Sequence, residues 1–125
     1  MNQIETAAQA ALDRKATDVV RLDVGDIIGI TDHFLVFTTK NDRQLDAASE
    51  EIEYQLREQH GRKPLAREGS AATGWMVTDY GDYVVHGFLT DTRDLYALDR
   101  LWSDAPSHKW DDGEPVTDAD GVTIG

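Results

Sequence analysis

Residues 74–89, GWMVTDYGDYVVHGFL, constrain the fold more than any other part of the chain. Two runs of β-branched and aromatic residues flank Gly81-Asp82, the pattern of a β-hairpin with a two-residue turn. With that turn, Tyr80 pairs with Tyr83, Val77 with His86 and Trp75 with Phe88. One face then carries Trp75, Val77, Asp79, Val84, His86 and Phe88, and the other Met76, Thr78, Tyr80, Tyr83, Val85 and Leu89. Neither face is cleanly polar, so such a sheet needs cover on both sides.

The rest of the chain supplies that cover. Ile4, Ala7, Ala8, Ala11 and Leu12 recur at helical spacing. DVVRLDV (18–24) alternates as a strand with Val20, Leu22 and Val24 on one face, and Gly25, Asp26 and Gly29 mark a turn region. HFLVFTT (33–39) is a continuous apolar run, the mark of a buried central strand. Residues 41–61 read as the clearest helix, with Leu45, Ala48, Ile52 and Leu56 as its stripe, Asn41 or Asp42 as cap and Gly61 as stop. KPLARE suggests a short edge strand and Gly69 through Thr73 a loop. TDTRDLYALDRLW (90–102) reads as a last helix, capped by Thr90 and carrying Leu95, Leu98, Leu101 and Trp102.

The order helix, strand, strand, helix, strand, strand, helix predicts a single-domain α/β fold with a mixed β-sheet, and residues 42–74 allow a crossover between the two strand pairs. Three helices, one of them short, are few for a sheet that is apolar on both faces. Part of one face is therefore expected to await a partner. The domain is expected to span 1–102, followed by an acidic, flexible tail, 103–125, with six acids and one lysine.

Charge narrows the partner. Twenty-four Asp and Glu against twelve Lys and Arg give a formal charge of −12, which repels a phosphate backbone and favours a basic protein or a small molecule, so no direct nucleic-acid binding is expected. The chain has no cysteine, which removes disulfides and thiolate zinc sites. Its start lacks a signal-like apolar core, and no apolar run nears the roughly 20 residues of a membrane span. A soluble, cytoplasmic protein without membrane contact is expected.

Catalytic equipment is sparse. Asp79 and Asp82 stand three apart across a turn, whereas two carboxylates sharing a cation on a strand occupy alternate positions. Asp118-Ala119-Asp120 is the only D-x-D and lies in the tail. His86 is a single strand histidine, read as structural, and Asp32-His33 as a cap. No phosphate loop, GxSxG or HExxH occurs. No catalytic residue, metal ligand or cofactor is therefore assigned. The competing reading is a metal-dependent nucleotidyltransferase using Asp79, Asp82 and His86, which calorimetry with magnesium and nucleoside triphosphates would reveal. A blander one is a homodimer with only a structural role in a larger assembly. For Trp75 the pattern allows both core and interface centre; Tyr96 lies off the leucine stripe and is expected to be exposed.

DVVRLDV with ITDHFLV, NDRQL, GWMVTDYGDYVVHGF and RDLYALDRLW, in this order over residues 3–102, resemble the ribosomal silencing factors, also called Iojap-related proteins. Tyr80 stands where that family commonly has leucine, Gly87 where it has an aliphatic residue, and Asp99 where it has glutamate. The resemblance implies a nucleotidyltransferase-like fold without that superfamily's catalytic carboxylates, in a protein that is not an enzyme. It implies binding to the large ribosomal subunit through its basic protein number fourteen. A factor bound there sterically blocks the small subunit from joining and damps translation under nutrient limitation. A homodimer is implied for the free protein. The implied partner-binding residues are Trp75, Tyr80 and Tyr96, with Asp79 and Asp82 as an acidic rim.

Overall fold

A computed structural model of the chain describes residues 1–96, 103–110 and 112, the side chains of 27, 28, 95 and 96 excepted. The first helix, α1 (Gln3–Asp13), starts at a reciprocal cap: the Asn2 side chain accepts from the Glu5 N–H at 2.8 Å, and the Glu5 carboxylate accepts from the Asn2 N–H at 2.9 Å. Strand β1 (Thr17–Asp23) follows, then a single helical turn, α2 (Gly25–Ile28), where the sequence suggested only a turn. Strand β2 (His33–Thr39) leads into the long helix α3 (Asp42–His60), capped by Asn41 at the Gln44 N–H and ended by Gly61 at φ +64°. Its buried stripe is Leu45, Ala48, Ile52 and Leu56, as its spacing predicts.

The hairpin pairs as its turn demands: β4 (Trp75–Asp79) runs antiparallel to β5 (Tyr83–Leu89), with Trp75 opposite Phe88 and Val77 opposite His86. β3 (Ala66–Ser70), slightly later than KPLARE suggests, adds an exposed edge, and Ala71–Thr73 form a 3₁₀ turn inside the expected loop. Because α3 carries the chain across the sheet, β5 lies beside β2 in parallel, an arrangement that the crossover allows. The sheet is mixed, in the order β3-β4-β5-β2-β1-β6.

The sixth strand corrects the expected domain boundary. Ser107–Trp110 form β6, antiparallel to the free edge of β1, and Trp110 is buried in the main core. Residues 103–110 are thus part of the domain rather than of a flexible tail. Their polarity misled because an edge strand exposes most of its length, and only Trp110 of the four is buried. The readings of Leu98, Asp99, Leu101, Trp102 and the Asp118-Ala119-Asp120 motif lie outside the described residues.

The two faces of the sheet are covered differently. On the first, α1 and α3 pack over Val19, Leu35, Phe37, Tyr80, Tyr83, Val85 and Trp110. Ala7, Ala8, Ala10 and Ala11 bring α1 close, and Thr6 Oγ1 meets His60 Nε2 at 2.8 Å across the helix pair. Gly87 belongs to this packing. A Cβ there would lie 2.5 Å from the Phe37 ring and 2.8 Å from Leu45, so those side chains fill the space that an aliphatic residue would take. On the second face, Val20, Leu22, Val24, Val36, Phe88 and Ala105 form a smaller cluster.

Helix α4 (Thr90–Tyr96) leaves β5 toward this second cluster's strands. Thr90 Oγ1 donates to the Thr39 carbonyl at 3.3 Å. Buried Arg93 donates from Nη1 to the Asp18 carbonyl and to Thr38 Oγ1, both at 2.9 Å. Asp18 sits at φ +50° where the β1–β2 register shifts, and that irregularity turns its carbonyl to the guanidinium.

Candidate partner-binding surface

Trp75 opens β4 directly after Gly74, whose φ of +81° lets the 3₁₀ turn swing into the strand. The Leu89 N–H donates to the Gly74 carbonyl at 3.0 Å and locks this entry to the end of β5. The Trp75 ring stacks on Phe88, its cross-strand partner, with centroids 5.2 Å apart. Its indole Nε1 donates to His86 Nδ1 at 3.2 Å. The edge of the row is Phe34 on β2, perpendicular to His86 at 4.7 Å. Three strands therefore contribute one continuous aromatic surface.

Exposure varies along both faces: Met76 and Leu89 are half-buried on the helix-covered side, and Val36, His86 and Phe88 are buried on the other. Thr78, Tyr80, Tyr83, Val85, Leu35 and Phe37, on the helix-covered side, are all buried. Phe34, Trp75, Val77, Asp79 and Val84, on the other, are each only half-buried. Trp75 is thus half-buried at the start of β4, beside the buried His86 and Phe88.

Charged groups are spent on holding the hairpin turn. Asp79 Oδ1 accepts from the Gly81 N–H at 2.7 Å and closes the turn. The exposed Asp82 carboxylate accepts from Arg62 Nη2 at 2.7 Å, and the same nitrogen donates to the Tyr80 carbonyl. The Asp82 carbonyl accepts from the Asp32 N–H at 2.9 Å, which ties the turn to β2. His86 is sealed from solvent, and burial lowers its pKa from the usual 6.5 to about 4, so it is neutral at physiological pH. Asp79, Asp82 and His86 are each engaged with a different partner and do not converge. Among the described residues no three His, Asp or Glu side chains are grouped to hold a metal ion.

One of the expected contact residues is enclosed, and another falls outside the described side chains. Tyr80 is 1 % exposed, stacks on Tyr83 at 4.9 Å and lies on the helix-covered face, so it supports the hairpin from within rather than touching a partner. Strand alternation dictates this, since Tyr80 and Trp75 are an odd number of residues apart. Burial raises the pKa of its hydroxyl, which has no hydrogen-bond partner among the described residues. Tyr96 is the last described residue of α4, and its side chain lies outside the described residues. Phe34 is the member of this row that the pattern alone missed, whereas strand alternation already put His86 on the Trp75 face. Only the parallel β2–β5 register brings Phe34 to the hairpin, and no local signal encodes it.

Similar proteins are known for the chain as a whole. The family described as "Ribosomal silencing factor during starvation" matches residues 1–123. The ribosomal silencing factor of Bacillus subtilis is 38 % identical over 109 residues, which are 85 % of this chain and 92 % of that one. The mouse protein called "Mitochondrial assembly of ribosomal large subunit protein 1" is 29 % identical over 90 residues, 70 % of this chain and 40 % of its own length. A crystal structure of a Chromobacterium violaceum protein superimposes with a TM-score of 0.73 at 31 % identity, covering 78 % of this chain and 81 % of that one.

Proposed function

The chain belongs to the family of ribosomal silencing factors, and from that membership we propose that it represses translation by docking on the large ribosomal subunit. The partner there is the basic large-subunit protein number fourteen, and the bound factor stands where the small subunit must join. No bond of the protein or the ribosome changes; the effect is steric and damps initiation under nutrient limitation. The observation that carries this reading is the half-buried aromatic row of Trp75, Phe34 and their buried neighbours on the sheet face opposite α1 and α3. Aromatic side chains that are partly desolvated already, with charge at their margin, are what an interface centre uses.

Charge supports the same partner. Asp79 lies on the face itself, Asp82 stands exposed at the hairpin turn, and Asp91 and Asp94 stand exposed on α4. These acids attract a basic ribosomal protein and repel bare RNA. The mouse relative, whose name refers to the large ribosomal subunit, points to that subunit as well. When free, the protein shields the aromatic row by pairing as a homodimer.

Trp75→Ala tests the proposal. The variant keeps its fold and loses about 2 kcal/mol or more of binding, as truncated anchors do. Co-sedimentation with purified large subunits reads the loss. A folded variant that sediments as well as the parent removes Trp75 from the interface.

A further inference from the structure

His86 is satisfied on one side only. The Trp75 indole Nε1 can only donate, so the Nδ1 it approaches at 3.2 Å must offer a lone pair. The ring proton of the neutral imidazole therefore sits on Nε2. That N–H is buried, in a residue only 7 % exposed, and has no acceptor among the described residues. A buried donor without an acceptor destabilises the fold. A leucine or phenylalanine would fill this strand position among Phe34, Phe88 and Trp75 without that penalty. Packing alone therefore gives no reason for an imidazole here.

The one thing the imidazole supplies is the Nδ1 lone pair. Stacking on Phe88 fixes the plane of the Trp75 ring but not which edge of the indole turns inward, because the stacking contact is nearly indifferent to rotation within the plane. The hydrogen bond to His86 draws the one polar atom of the indole toward the imidazole. We propose that His86 is the positioning residue of the Trp75 anchor: the fold tolerates an unpaired Nε2–H in order to hold the indole in its docking orientation. This rests on the reading of Trp75 as the centre of the interface. It also names the chemistry met there, an apolar hollow with cations around it rather than a hydrogen-bond acceptor for the indole.

Two substitutions separate positioning from packing. In His86→Asn the amide oxygen stands where Nδ1 stands and can accept from the indole; in His86→Leu nothing can, and His86→Phe serves as a second apolar variant. Binding is measured by co-sedimentation with salt-washed bacterial large subunits, stability by urea unfolding, and the indole's surroundings by fluorine NMR of protein labelled with 5-fluorotryptophan. His86→Leu is expected to be at least as stable as the parent, to bind about tenfold more weakly, the scale of one hydrogen bond, and to move the Trp75 resonance. His86→Asn is expected to keep both the binding and the resonance. Equal losses in the Asn and apolar variants, or normal binding by the apolar variants when Trp75→Ala binds poorly, overturn the proposal. Normal binding by Trp75→Ala instead overturns the interface reading. In that case a Trp75 resonance that does not move in His86→Leu overturns the positioning as well, and one that moves leaves the indole–imidazole coupling standing.

Discussion

Tyr80, Tyr83, Trp75 and His86 lie within twelve residues of one hairpin, yet the pleat sends the first two under α3 and the last two to the opposite face. Their titration follows from that separation. Burial pushes the Tyr83 phenol up to about 12 and holds the His86 imidazole down at about 4. Between the ordinary histidine value of 6.5 and about 4, the unfolded chain takes up a proton that folded His86 refuses. The contribution of this group to stability is therefore complete above pH 6.5, is lost as the pH falls to about 4, and amounts to roughly 3 kcal/mol over that window. Urea midpoints at pH 7.5 and 4.5 measure it, with His86→Leu subtracting the titration of all other groups. A parent and a variant that lose stability equally on acidification would refute the assignment to His86.

At the scale of elements, β6 carries the clearest test. It pairs with β1 through four residues and places Trp110 against Val19 in the main core. Ending the chain at residue 102 strips that edge and opens the core, and Trp110→Ala alone should cost about 3–5 kcal/mol. Thermal or urea unfolding checks both; a truncated chain as stable as the full one would return these residues to the status of a tail. The elements that were legible are each a local pattern. The alanine-rich stripe of α1, the capped stripe of α3 and the Gly81-Asp82 turn with its register all need only neighbours in sequence. β6 was not legible, because a polar edge strand is defined by the partner that it pairs with rather than by its own periodicity.

For the whole molecule, the net charge of −12 acts at a distance. On the proposed reading it would speed encounter with a basic protein surface, and it is screened over a Debye length of about 8 Å at physiological salt. Raising the salt should therefore weaken the association with large subunits moderately, without abolishing what the aromatic row contributes. Sedimentation across a salt series reads this, and a flat response would exclude electrostatic steering. The sequence by itself determined the helices, the strand alternation, the pairing of the hairpin and the acidity of the surface, since each depends on residue type and short-range spacing. It also carried enough motif to point to the family. Only the tertiary structure decided that β2 and β5 lie in parallel, that Phe34 joins Trp75 and His86, that Tyr80 is enclosed and that the chain returns to the sheet at β6. These are contacts between residues distant in sequence, settled by which surfaces must be covered once all the elements compete for the same core.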